Sequence, residues 1–238
     1  MFDSRHLGAA QARRRLIFAG IDRSSYPGDT VMQWLWDNTN LEWTGFYLAP
    51  APSHGKDTSW MSRRGVLKQM GWGFAPIYVG QQAQGPGSHI LTAAQGTTDG
   101  ADAAKLATKA GFPGLSVLYL DMEQGPPLKQ PATDYYTAWV QAVFDNGFYP
   151  GVYCSYLIAA KLMEADFRPL VWVFHIPRVG GSFKNPYPEK DPSKSGYSLA
   201  DVWQLAQGVS IEGPHGMRLY PYDLDSADSR DPSVFLTL

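Results

Sequence analysis

From Leu16 to Glu164 the chain alternates between two kinds of segment. Short apolar runs rich in β-branched and aromatic residues take turns with stretches whose apolar residues recur at helical spacing. The runs Leu16–Asp22, Thr44–Ala49, Gly73–Val79, Leu115–Glu123 and Tyr149–Cys154 read as strands. Between and after them, Thr30–Asn38, Ser62–Met70, Asp99–Ala110, Pro131–Asn146 and Tyr156–Glu164 read as helices. The helix over Pro131–Asn146 carries the stripe Tyr135, Trp139 and Val143, which reads as core. Strict alternation of this kind is the mark of parallel βα units, because each crossover helix returns the chain to the same edge of the sheet.

Beyond Glu164 the pattern changes. Leu170–Ile176, Asp201–Ala206 and Leu219–Asp225 read as three more strands whose connections lack helical periodicity, and Pro177–Ser198 reads as a long polar loop. Eight strands with about five helices fit the α/β class: a single irregular TIM-type β/α barrel over residues 16–238 whose last strands lack helices, preceded by an amino-terminal arm over residues 1–15. An open doubly wound sheet would want a glycine-rich turn after its first strand, and Gly20-Ile-Asp22-Arg-Ser-Ser-Tyr-Pro is not one. No internal repeat is visible.

At 238 residues the chain can bury a substantial core as one domain. With 20 basic and 22 acidic residues and a net charge of −2, nothing proposes a nucleic-acid or anionic-membrane partner. The single cysteine, Cys154, excludes an internal disulfide or a zinc knuckle and reads as core filler. At the amino terminus, Arg13-Arg14-Arg15 precede an apolar stretch too short for a signal-peptide core or a membrane span. A soluble chain is expected, either cytoplasmic or reaching the outside by lysis, by a specialised secretion machine or as part of a larger protein.

In a β/α barrel the site lies at the carboxyl ends of the strands. Asp22 ends the first strand, Asp121 and Glu123 the fourth, and Asp223 and Asp225 the eighth, so a ring of carboxylates is expected around one opening. In an extended chain Asp121 and Glu123 point to one side, with Cα atoms roughly 6.5–7 Å apart. The pair suits acid–base chemistry; it would equally suit an acidic strand end that caps the next helix or pairs with a surface lysine. Tyr47, Tyr78, Tyr119, Tyr153, Trp172 and Trp203 lie near the same edge, the last followed by Gln204. Aromatic faces stack on sugar rings, and acids and amides hydrogen-bond hydroxyls, so a glycan fits such a mouth; packing within the barrel is the alternative for each ring. Glycosidic cleavage needs one carboxyl to protonate the departing oxygen and another to stabilise the oxocarbenium-like centre. Glu123, with the longer reach, is the expected acid, Asp121 its partner, and Asp22 and Asp223 the supporting groups.

A carboxylate ring could instead hold a divalent cation. Only His175 among the imidazoles falls near a strand end, and no Asp-x-Asp-x-Asp-Gly loop is present, so neither metal nor cofactor is expected. His6, His54, His89 and His215 read as surface residues. A Ser/His/Asp hydrolase lacks its Gly-x-Ser-x-Gly elbow.

With Gly20-Ile-Asp22, Asp121-Met-Glu123 and Tyr222-Asp223-Leu224-Asp225 in that order, the chain resembles the lysozyme-like muramidases of glycoside hydrolase family 25. It is most similar to their relatives, the glycoside-hydrolase-like domain-of-unknown-function family, through Pro76-Ile-Tyr-Val-Gly-Gln-Gln82, Asp99-Gly-Ala-Asp102, Gly151-Val-Tyr153 and Val202-Trp203-Gln204. The resemblance spans roughly Phe18 to Asp225. It implies a five-helix irregular barrel and hydrolysis of the β-1,4 bond after N-acetylmuramic acid in peptidoglycan. By position it carries Glu123 over as acid, Asp121 as partner and Asp22 and Asp223 as supports. Tyr78, Gln82, Tyr119, Tyr153, Trp172, Trp203, Gln204 and Asp225 form the expected substrate-binding set. Two departures bear on the mouth: Arg23 directly after the first strand, and the Pro177–Ser198 segment. A non-catalytic cell-wall glycan-binding barrel and a hydrolase of soluble oligosaccharides are the alternatives.

Overall fold

The computed structural model describes residues 16–85 and 87–234. Eight strands close into one barrel in chain order: β1 (Phe18–Asp22), β2 (Leu41–Tyr47), β3 (Gly73–Val79), β4 (Val117–Met122), β5 (Tyr149–Ser155), β6 (Leu170–Val179), β7 (Val202–Glu212) and β8 (Arg218–Ala227). Five helices fill the first five connections: α1 (Asp29–Asn38), α2 (Arg64–Met70), α3 (Ala93–Lys109), α4 (Gln130–Asp145) and α5 (Tyr156–Ala165). This is the irregular TIM-type barrel expected from the alternation. The proposed amino-terminal arm, His6 and residues 235–238 lie outside the described residues.

One element of the expected layout is corrected. From β1 to β7 neighbouring strands are parallel, but β8 runs antiparallel to both β7 and β1. Residues 213–217 alone join β7 to β8, and so short a connection can only turn the chain back, whereas a parallel return needs a crossover of about a dozen residues. The mouth therefore receives β8 by its middle rather than by its carboxyl end.

Strand alternation sorts side chains into two cores. Ala19, Ile21, Leu118, Leu120, Tyr222 and Leu224 face outward into the layer with the helices. Trp43, Ala75, Val117, Tyr119, Trp172 and Ala227 fill the barrel interior. Trp172 meets Trp43 and Tyr119 edge to face at 5.6 and 5.7 Å, so a plug of rings closes the barrel beneath the mouth. Gly20 makes room for that plug: a Cβ there would lie 2.1 Å from the Trp43 ring.

Helix α3 begins at Ala93, ahead of the expected Asp99, where Thr92 accepts a hydrogen bond from Gln95 N at 3.2 Å as an N-cap. Its first turns face α4 through Gly96, where a Cβ would fall 2.2 Å from Tyr135 O. A helix that packs through glycine shows no apolar stripe, which is why periodicity alone starts it late.

The Pro177–Ser198 segment is likewise corrected. Its first residues extend β6 to Val179, and the rest runs along the outside of the barrel. Tyr187 N donates to Asn40 Oδ1 at 2.7 Å, and Lys190 N donates to Ser226 Oγ at 3.0 Å. Asn40 precedes β2, so these contacts lie toward the end of the barrel opposite the mouth.

Candidate active site

Asp22, Tyr47, Ile77, Asp121, Glu123, Tyr153, Trp172, Gln207 and Asp223 line one narrow crevice of about 50 Å³ at the barrel mouth. Register explains the convergence. Asp22 pairs with Asp223 across β1 and β8, and Asp121 sits between Val79 of β3 and Tyr153 of β5. Beside the crevice opens a groove of about 590 Å³ between Gln82–Gly85 and Glu123–Lys129. Glu123 is exposed and belongs to both spaces.

Hydrogen bonds fix the walls. Tyr47 donates to Asp22 Oδ1 at 2.7 Å. Asp223 accepts from Gln204 Nε2 and from Gly208 N, both at 2.7 Å, and Tyr153 donates to Gln204 Oε1. No lysine or arginine lines the crevice. Burial without a counter-charge disfavours carboxylates, and their mutual repulsion adds to it. Asp121 is accordingly held well above the usual carboxylate range by burial, then by the charges of Glu123 and Asp22. Burial also raises Asp22, opposed first by the hydrogen bond from Tyr47. Asp223 is pushed up to about 8 by burial and by Asp22, despite the two N–H donors. Burial likewise keeps the Tyr47 and Tyr153 phenols protonated, as donors.

Several expected contacts take other roles. Asp225 pairs with Gly20 rather than Asp22, one layer below the mouth. It is 1 % exposed, and neither of its oxygens reaches a partner in strict hydrogen-bond geometry; burial, then Asp22 and Asp223, keep it well above the carboxylate range. It is therefore a buried acid held toward its protonated form rather than a ligand contact. Tyr119 also faces inward but lies deeper, donating to Pro232 O at 2.9 Å on the far side of the plug. Tyr78 faces outward, its hydroxyl on Asp102 Oδ2 at 3.3 Å and its ring 6.4 Å from that of Trp139. Trp203 also turns out of the barrel, donating to His175 O at 2.8 Å. His175 itself stacks on Tyr156 at 4.1 Å, with Nδ1 2.6 Å from Ser195 O, away from the carboxylates.

Trp172 forms the floor of the crevice, fully buried. The side-chain amide of Gln204 is engaged at both ends, by Tyr153 and Asp223. That of Gln82 is engaged too: Nε2 donates to Asp121 O at 2.8 Å, and Oε1 accepts from Glu123 N at 3.0 Å. These bonds fix both amides as parts of the wall, each Nε2 spending one of its two N–H donors on it.

Neither departure from the muramidase pattern closes the mouth. Arg23 follows inward-facing Asp22 and turns outward, donating to Tyr220 O at 3.3 Å with its guanidinium 5.2 Å from the Tyr222 ring centre. None of residues 180–198 lines the crevice or the groove.

Two neighbours of the site escape sequence reasoning. Gln207 reaches the crevice because register shifts on β7 on either side of Ala206 break the alternation that counting by twos relies on. His54, expected at the surface, is half-buried and stacks on Tyr47 at 4.9 Å; burial lowers its pKa, and Nε2 is buried without a partner. Cys154 is core filler, as expected, and burial raises its thiol far above the reactive range.

A family model for the Rv2525c-like, glycoside hydrolase-like domain matches residues 35–212. The chain belongs to that family. Solved structures share the fold of this glycoside hydrolase-like domain. The Clostridium perfringens spore cortex lytic enzyme SleM is 13 % identical, with a TM-score of 0.62, covering 92 % of this chain and 70 % of that one. The modular autolysin LytC of Streptococcus pneumoniae is 12 % identical with a TM-score of 0.63, covering 88 % of this chain and 46 % of that one. The Mycobacterium tuberculosis Tat-secreted protein Rv2525c is 12 % identical with a TM-score of 0.56, covering 91 % and 96 %. No curated protein matches the chain. Among the described residues, no helix of the domain is long and apolar enough to cross a membrane, and no group of three or more His, Cys, Asp or Glu is arranged to hold a metal ion.

Proposed function

We propose that this domain is a glycosidase that cleaves the glycan strands of peptidoglycan by carboxylate acid–base catalysis. The observation that carries the reading is the shared position of Glu123: it stands among Asp22, Asp121 and Asp223 in the crevice and also lines the groove alongside. A polymer lying in the groove would bring a glycosidic oxygen to the one carboxyl that solvent and substrate both reach.

In this reading the Asp121–Glu123 pair handles the proton. Asp121, buried and facing other carboxylates, is held well above the usual carboxylate range, which favours its protonated form. Glu123 delivers a proton to the leaving oxygen, and neutral Asp121 supports its carboxylate as the bond breaks. As that bond breaks, water adds to the anomeric carbon and gives its proton to a crevice carboxyl in its ionised form, Asp22, held by Tyr47, or Asp223, held by Gln204 and Gly208. Lytic neighbours such as SleM, and the structure of LytC solved with a synthetic peptidoglycan ligand, support the choice of polymer.

The test compares turbidity loss and reducing-end release from purified cell walls between wild type and Glu123→Gln. Release by wild type alone supports the glycosidase. Sedimentation with walls but no released ends in wild type would replace it with a glycan-binding barrel. Release only from soluble oligosaccharides would move the substrate to that class.

A further inference from the structure

The last backbone pairing between β3 and β4 is Val79 with Asp121. Past it the main chain of β3 leaves the sheet through Gly80 and β4 ends at Met122, so the N–H of Glu123, just beyond the strand, has no β3 rung to meet. In a parallel ladder one residue serves such a site with both its groups: its N–H donates to the carbonyl before the opposed residue, and its C=O accepts from the N–H after it. The carboxamide of Gln82 has the same pair of groups. Its Nε2 donates to Asp121 O at 2.8 Å, and its Oε1 accepts from Glu123 N at 3.0 Å, the two sides of Met122.

We propose that Gln82 is a positioning residue whose side-chain amide acts as a surrogate rung of the sheet, holding Glu123 in extended backbone where crevice and groove meet. The rung is itself anchored. Gln82 is 6 % exposed, and its main-chain oxygen lies 2.7 Å from His89 Nδ1. The preceding Gln81 adds a second anchor: its N–H donates to Tyr135 Oη at 3.1 Å, and its Nε2 to Asp99 Oδ2 at 3.3 Å. The residue type follows from the task. Glutamate has no donor for the Asp121 carbonyl and would set a fifth acid beside Asp22, Asp121, Glu123 and Asp223. Asparagine is one methylene short. Methionine matches the length but has neither group.

The geometric half of this proposal stands without any activity, while the catalytic half rests on the glycosidase reading, so the experiment has two arms. In amide hydrogen exchange followed by NMR, Gln82→Met is expected to speed exchange at Glu123 at least tenfold, with Leu118 and Leu120 unchanged. Protection at Glu123 equal to wild type overturns the rung. In cell-wall hydrolysis, Gln82→Met and Gln82→Glu are expected to lower kcat at least tenfold with KM within twofold, and Gln82→Glu to shift the pH profile as well. Wild-type kcat in both variants overturns the positioning role. A wild type that releases no reducing ends counts against the glycosidase reading alone and leaves the exchange arm to decide the rung.

Discussion

The phenol of Tyr47 donates a 2.7 Å hydrogen bond to Oδ1 of Asp22, joining the ends of two neighbouring strands inside the barrel mouth. Burial raises the pKa of Asp22, and this bond is the largest influence opposing it. Tyr47→Phe should therefore raise it further. A hydrogen bond to a charged group contributes about 1.5–3 kcal/mol, equivalent to roughly one to two pH units. The limb of the pH–rate profile that reports Asp22 should move toward alkaline pH by about that much. An NMR titration of the Asp22 carboxyl checks the same shift in the resting protein, and an unmoved Asp22 would remove Tyr47 from the electrostatics of the site.

Stability should fall as pH rises across the neutral range. Asp223 titrates at about 8 in the folded protein against 3.8 for the ordinary side chain. Between those values the folded state keeps a proton that the unfolded chain has released, so raising the pH favours unfolding. The contribution is complete below about pH 4 and is lost through pH 8. Asp22, Asp121 and Asp225 are shifted the same way and steepen the slope. Denaturant midpoints measured from pH 4 to 9 should decline for wild type and decline less for Asp223→Asn. A wild-type curve that is level across this range would contradict the shift.

Glu123→Gln is expected to lower wall hydrolysis by about 10²–10⁴, the usual contribution of a positioned acid. Its side chain is exposed, so unfolding stability should stay within about 0.5 kcal/mol of wild type, with a thermal midpoint near that of wild type. Asp22→Asn and Asp223→Asn should also lower turnover while leaving circular dichroism unchanged. Full activity in both would take those two residues out of the mechanism.

Gly20→Ala tests the plug beneath the site. Its Cβ would stand 2.1 Å from the Trp43 ring, which is buried and set against Trp172. Forcing extra volume into a packed interior costs about 1–3 kcal/mol or more. A clear drop in thermal midpoint is expected; a midpoint equal to wild type would mean that the indole has room to move.

The barrel and its five helices were legible because each depends on short-range periodicity, which a linear chain displays directly. So were the four acids of the crevice, since inward-facing residues at strand ends follow from the pleat once the strands are counted. Alternation also accounts for Arg23 turning away from the mouth. What alternation cannot convey is depth. Asp223 and Asp225 share a face in sequence, but only the antiparallel course of β8 sets the first at the mouth and the second opposite Gly20. Tyr119 and Tyr153 both face inward as well, and their heights within the barrel assign one to the plug and the other to the site.

Sequence by itself thus determined the class of fold and the chemical character of its mouth, because hydrophobic period and residue type are local properties. Tertiary structure alone decided that Gln82 completes the sheet beside Glu123, that Gln207 enters the crevice across a disrupted register, and that Tyr47 meets Asp22. Each of these depends on the direction and register of segments distant in the chain, and those are settled only when the barrel closes and every buried polar group must find a partner or keep its proton.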